Sequence, residues 1–171
     1  DITPPYATNR SPAPGATGVA INTNITLELR DAGVGVDQST ITMTVNGSQV
    51  TPSISGTAAS YTVSYDAPTD FAYDQTVSVV VDASDLNGNT MATDAYSFTT
   101  AAAPDTTPPV LSNVRATSVT SSSATIEWTT DEPSDSQAHY GNNSSTWGSY
   151  IYTLNDNGLV TNHSLALTGL S

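Results

Sequence analysis

A chain of 171 residues with three arginines, no lysine and 16 acidic side chains carries a formal charge of −13. That deficit of cations excludes partners bound by phosphate neutralisation, because nucleic acid and anionic membrane surfaces both demand clustered Arg and Lys. Cysteine is absent, so disulfides cannot supplement a small core, and no apolar run approaches the roughly 20 residues that cross a bilayer as a helix, so no membrane insertion of this segment is expected.

One phrase occurs twice, Asp1-Ile2-Thr3-Pro4-Pro5 at the start and Asp105-Thr106-Thr107-Pro108-Pro109 after a run of alanines. It marks two modules. In the first, a short strand near Tyr6 to Asn9 precedes a turn at Pro12, Pro14 and Gly15. Asn24 to Arg30 alternates Ile25, Leu27 and Leu29 against Thr26 and Glu28, and Ser39 to Val45 alternates Ile41, Met43 and Val45, so both read as half-buried strands. Asn46-Gly47 predicts a tight hairpin, returning Ser48 to Pro52 as a short strand ended by proline. Tyr61 to Tyr65, Gln75 to Asp82 and Tyr96 to Thr100 follow, about seven strands in all, the number of an Ig-type sandwich. Regular alternation over Tyr61, Val63 and Tyr65 opposes the competing reading of so much Ser and Thr as a disordered stalk.

Ala101 to Pro109 reads as a linker, stiffened by consecutive prolines that fix φ and lack donors. The second module is expected to run as five strands: Val110 to Thr117, Ala124 to Thr130, Ser136 to Tyr140, Tyr150 to Leu154 and His163 to Leu167, with Trp128 as core anchor. The expected fold class is all-β, two tandem sandwiches over residues 1–101 and 110–171 joined by 102–109.

The stretches Pro12 to Val19, Ile25 to Leu29, Gly35-Val36-Asp37-Gln38-Ser39-Thr40, Asp85-Leu86-Asn87-Gly88-Asn89 and Tyr96 to Thr100 together resemble the bacterial Ig-like domains of surface-layer proteins, adhesins and secreted hydrolases. Residues 110–171, through Ile126-Glu127-Trp128-Thr129-Thr130-Asp131-Glu132-Pro133, Ala138-His139-Tyr140-Gly141 and His163 to Leu170, resemble a fibronectin type III domain of extracellular proteins. The second resemblance implies two further strands after Leu170, so this module is expected to be incomplete within residues 110–171. Two explanations stay open: the polypeptide continues, or a neighbouring subunit supplies the strands. A start on a module boundary without Met reads as an excerpt or mature piece of something longer.

Candidate chemistry lies in two loops expected at one end of the first sandwich. Asp31, Asp37, Asp82, Asp85, Asn87 and Asn89 present hard oxygens of the kind Ca²⁺ takes, six to eight at a time. The same residues suit plain turns, since Asp and Asn hydrogen-bond their own backbone. A second acidic group, Asp105 with Asp131, Glu132 and Asp135, offers the same choice at the entry of the second module. His139 and His163, the two possible general bases near neutral pH, lack an orienting acid and an oxyanion-donor motif; both are expected to be cross-strand neighbours on the sheet surface, so the chain reads as no enzyme. Tyr140, Trp147, Tyr150 and Tyr152 could present rings to a polysaccharide or a protein partner, or pack the core. Sequons at Asn24, Asn46, Asn142, Asn143 and Asn162 matter only where the source glycosylates them.

The reading that follows is a non-catalytic structural or adhesive module of a secreted or cell-surface prokaryotic protein. A filament or surface-assembly subunit completed by a neighbour falls within it, and an accessory spacer or carbohydrate-binding region of a secreted hydrolase is the alternative.

Overall fold

The computed structural model describes residues 2–141 and 150–170. Two compact units divide the chain, 1–104 and 105–171. Both are all-β.

The first unit holds eight strands: β1 Tyr6–Ser11, β2 Ile25–Arg30, β3 Thr42–Val45, β4 Ser48–Val50, β5 Ser53–Thr57, β6 Ser60–Tyr65, β7 Thr76–Asp82 and β8 Asp94–Thr99. They form two antiparallel four-stranded sheets, ordered β1-β2-β6-β5 and β4-β3-β7-β8. Alternation decides which side chains enter the space between the sheets. Ile25, Leu27 and Leu29 of β2, Met43 and Val45 of β3, Val63 of β6, Val77, Val79 and Val81 of β7 and Phe98 of β8 are buried in one cluster, with Val36, Ala83 and Met91 closing its loop end. Tyr61 and Tyr65 flank Val63 on that same face. This sandwich is closed.

Two departures from the expected strands have local causes. Gln38–Thr40 forms a single 3-10 turn ahead of β3, because the Asp37 carboxylate accepts from both Ser39 N–H and Ser39 Oγ at the turn's start. The Asn46-Gly47 hairpin forms as expected, with φ of 51° and 78°, and β4 ends ahead of Pro52, but the chain then pairs again in an unexpected strand. It leaves β4 in one sheet and enters β5 in the other, an edge strand whose SISGT sequence has one large apolar residue, Ile54, and so shows no alternation to read.

The described residues of the second unit form one antiparallel sheet ordered β11-β10-β9, with β9 Leu111–Thr117, β10 Ser123–Tyr140 and β11 Tyr152–Thr168. The four segments expected beyond β9 are the halves of two long strands. Register shifts between Thr129 and Ser134, and between Ser134 and Ser136, absorb Asp131 to Asp135 within β10. Bulges of this kind bend a ribbon and increase its twist.

Candidate functional site

Backbone pairing zips together the two acidic loops of the first unit. Asp37 N–H donates to Ser84 C=O at 2.9 Å, Leu86 N–H donates to Gly35 C=O at 3.0 Å, and Val36 bridges Asp85. Val36 N–H also donates to Ala58 C=O at 2.7 Å, binding the first loop to the β5–β6 turn. Gly35 makes this possible: its φ is +97°, and a Cβ there would lie 2.6 Å from the Ala58 Cβ. The two loops therefore do share one end of the sandwich.

Their carboxylates are each occupied locally. Asp85 is buried; its Oδ1 accepts from Asn87 N–H at 2.9 Å and Asn89 N–H at 2.7 Å, and its Oδ2 accepts from Asn89 Nδ2 at 2.7 Å. Burial alone would raise this carboxyl, but the donors from Asn89, Asn87 and Gly88 outweigh it and hold Asp85 below the ordinary carboxylate value. Asp37 caps the 3-10 turn, and Asp82 Oδ1 accepts from Thr93 Oγ1 at 2.6 Å. Asp31 is 7 % exposed; Oδ1 accepts from Gly33 N–H at 2.7 Å, while Oδ2 is buried with no hydrogen-bond partner. Among the described residues no three carboxylate or imidazole groups converge where they could hold a metal ion.

In the second unit Asp105 accepts from Thr107 N–H and Asp131 from Val110 N–H, so these two acids brace the entering chain instead of meeting Glu132 and Asp135 at one point. Thr107's backbone and side chain hold the Asp105 carboxyl below its ordinary value.

The histidines divide. His139 stays near the surface, with Nε2 2.8 Å from Gln137 Oε1 and Nδ1 3.2 Å from Thr153 Oγ1. His163 is a correction to the surface placement expected for both: it is 3 % exposed, stacked on Trp128. Thr130 Oγ1 donates to Glu132 C=O at 2.7 Å, so it accepts from His163 Nε2–H at 2.9 Å, which leaves Nδ1 to accept from Ser136 O–H at 2.7 Å. A ring tied on both sides to hydroxyls, with no carboxylate in hydrogen-bond contact, is a structural post. Nothing in the strand alternation separates it from His139.

The aromatic group is partly assembled. Tyr140 and Tyr152 pair across β10 and β11 with centroids 5.3 Å apart, and Tyr152 is 53 % exposed. Tyr150 is half-buried beside exposed Ile151, and Trp147 lies outside the described residues. Tyr140, Ile151 and Tyr152 face Ala124, Ile126 and Leu167 across a cleft of about 370 Å³. Among the described residues this unit buries three large apolar side chains, Trp128, Leu165 and Leu167, and exposes Val110, Leu111, Val114, Val119, Ile151, Tyr152, Leu159 and Val160. Among the described residues no apolar cluster like that of the first unit closes it.

Residues 1–100 match the sequence profile described as "Bacterial Ig-like domain". The chain belongs to this family. Bacterial Ig-like domains occur typically in extracellular or surface proteins and are generally non-catalytic. No curated protein matches the chain. Among solved structures, domains A168–A170 from titin are similar at 12 % identity with a TM-score of 0.44, over 98 % of this chain and 56 % of that one, so the chain spans little more than half the length of that structure.

Proposed function

We propose that this bacterial Ig-like protein is a non-catalytic extracellular module of a surface assembly, in which the first unit is a self-sufficient bead and the second is completed by β-strands from a neighbouring polypeptide. The observation that carries this reading is the contrast between the units. The first seals its core between two four-stranded sheets, whereas the described residues of the second leave an apolar cleft and eight large exposed apolar side chains, five of them on the strands of its sheet and three, Val110, Val119 and Ile151, beside them. Exposed apolar surface on that scale marks an interaction face. Free strand edges are the usual means by which one chain is added to another. Hydrogen exchange on the full chain tests it. Amides of the first unit are expected to exchange through global opening, and those of the second orders of magnitude faster until a partner is present. Equal protection of both units in the isolated monomer would overturn the reading.

A cation at the loop end of the first unit is a second reading, favoured by one observation, the buried and unpartnered Asp31 Oδ2. A hard divalent cation such as Ca²⁺ would supply the missing positive charge there. Under it, chelator lowers the melting midpoint of the first unit, and Asp31→Asn removes the response; a midpoint indifferent to chelator in the native chain would refute it.

A further inference from the structure

The end of the first sandwich opposite the acidic loops holds a cleft of about 300 Å³, between the Asn46-Gly47 turn and the chain from Tyr65 to Gln75. That is the lower end of the range for small-molecule sites, about 300–1,000 Å³. Val45, Val50, Tyr65 and Phe71 give it apolar walls, and Asn46, Ser48, Asp70 and Gln75 set polar groups among them. All belong to the first unit, so a ligand here does not depend on how the second is completed.

Both walls are fixed from behind. Asn46 N–H donates to Ser78 C=O at 2.9 Å and Asn46 Oδ1 accepts from Ser78 N–H at 3.0 Å, which pins the turn to β7. On the other side Phe71 N–H donates to Ile21 C=O at 2.9 Å, and the Phe71 ring meets Phe98 edge-on with centroids 6.0 Å apart. Buried Thr100 ties off the loop: its Oγ1 accepts from Gln75 N–H at 2.8 Å and donates to Ala72 C=O at 2.7 Å. A cleft whose walls are already held loses little freedom when it fills.

The polar groups that this scaffold does not use decide what fits. Asn46 and Gln75 each spend the amide oxygen, on Ser78 N–H and on Ala72 N–H, which leaves both NH₂ groups as donors. The side chains of Ser48, Tyr65 and Asp70 make no hydrogen bond or ion pair with another described residue, and so add two hydroxyls and a carboxylate acceptor. Donors and acceptors mixed in this way beside apolar rings match vicinal hydroxyls, each of which donates and accepts, on a ring whose C–H face suits the negative face of an aromatic side chain. An ammonium or guanidinium only donates and would leave the amide donors unanswered. Phosphate, sulfate or a uronate would meet Asp70 with no cation lining the cleft. We infer that the cleft binds a neutral pyranose, taking one or two sugar units of a glycan.

Titration of the full chain with the methyl glycosides of glucose, galactose, mannose and N-acetylglucosamine, followed by backbone and side-chain amide NMR signals, tests this. Glucuronate and N-acetyl-lysine methylamide serve as charged probes. At least one neutral glycoside is expected to bind at about 1 mM, the strength that its size allows, and to move the signals of Asn46, Asp70 and Gln75; both charged probes are expected to bind about tenfold more weakly or less. Asp70→Ala, at an exposed position, is expected to weaken the sugar by about tenfold or more. Asp66→Ala, exposed and outside the cleft, removes the same charge and is expected to leave binding unchanged. No shift with any neutral glycoside at about fifty times that concentration, or equal effects of the two substitutions, overturns the inference. Binding of either charged probe as tight as that of the sugar also overturns it, and the lysine derivative would then reassign the cleft to a basic side chain of a protein partner. None of these outcomes alters the exchange contrast between the units on which the proposed function rests.

Discussion

Trp128 and His163 stand directly opposite each other on β10 and β11, and their rings stack with centroids 4.9 Å apart and planes 1° from parallel. With one sheet among the described residues of this unit, the pair covers itself. The imidazole shields the indole, and Thr130 and Ser136 satisfy the imidazole. Ser136 lies beyond the bulges while Trp128 lies before them, so the His163 hydrogen bonds also fix the bend of β10. Removing the Ser136 hydroxyl leaves Nδ1 buried without a donor, a loss on the order of 1–3 kcal/mol. Ser136→Ala is therefore expected to lower the denaturation midpoint of the second unit and leave the first unchanged. Urea titration followed by near-ultraviolet circular dichroism and by backbone signals resolves the two.

Asp85 ties acid stability to the loop end of the first unit. Its folded-state carboxyl is depressed, so its contribution is fully present above the unfolded value of about 3.9 and is lost as pH falls through the lower folded value. Glu28, lowered chiefly by Arg30, and Asp105 act in the same direction. Melts of the first unit between pH 5 and 2 are expected to show falling midpoints, with a shallower slope in Asp85→Asn. An unchanged slope in that variant would show that the Asn87 and Asn89 donors do not discriminate the charged form.

Tyr96 is a case where less hydrogen bonding means more stability. Burial, with Asp94 adding to it, raises its hydroxyl to about 12, and that hydroxyl has no hydrogen-bond partner. A raised folded value means stability that is intact below about 10 and declines as pH climbs toward 12. Tyr96→Phe removes an unsatisfied polar atom and keeps the ring packed on the core, so it is expected to be neutral or to stabilise by up to about 1 kcal/mol. Alkaline difference spectra should meanwhile lose one late-titrating tyrosine.

The Arg10 guanidinium joins the two sheets of the first unit, with Nε 2.8 Å from Asp94 Oδ2 and Nη2 3.1 Å from Ala7 C=O. The hydrogen bond to Asp94 also raises Arg10 above its ordinary value. Both side chains are partly screened by solvent, so Asp94→Asn is expected to cost about 1 kcal/mol. High salt should shrink the difference between the two proteins; a salt-independent loss would assign the effect to packing.

The sandwich of the first unit was legible because its central strands bury one face each, and burial imposes alternation on β2 and β7 that any reader of Ile25-Leu27-Leu29 or Val77-Val79-Val81 can see. Edge strand β5 lies under no such discipline, and Ile54 alone does not make a pattern. Asp31, Asp37, Asp82 and Asp85 were legible as loop acids, and their placement at one end followed from strand order. Whether each carboxylate caps its own turn depends on φ and ψ over two or three residues, which residue type does not fix. In the second unit Glu132-Pro133-Ser134 reads as a turn, yet register shifts keep it inside β10. His163 alternates as an ordinary strand position, and only its partner Trp128 and the fold-back of Ser136 bury it.

Gly35 offers the sharpest test of how the loop end is built. Its φ of +97° disfavours any L side chain, and the Ala58 Cβ, carbon and oxygen lie 2.6, 3.1 and 3.1 Å from where a Cβ would stand. Two of these atoms are backbone, held by Val36 N–H donating to Ala58 C=O, so the contact cannot be relieved by turning a side chain. Backbone strain and overpacking each cost about 1–3 kcal/mol, and Gly35→Ala is expected to destabilise the first unit by about 2 kcal/mol or more. Widening the loop to admit the methyl must separate Val36 from Asp85, so fast exchange should appear at Val36, Asp37 and Leu86 before the strands loosen. Should Gly35→Ala melt with the native protein and keep those amides protected, the close approach of the Asp31–Asp37 loop to the β5–β6 turn would not be what holds the two acidic loops together.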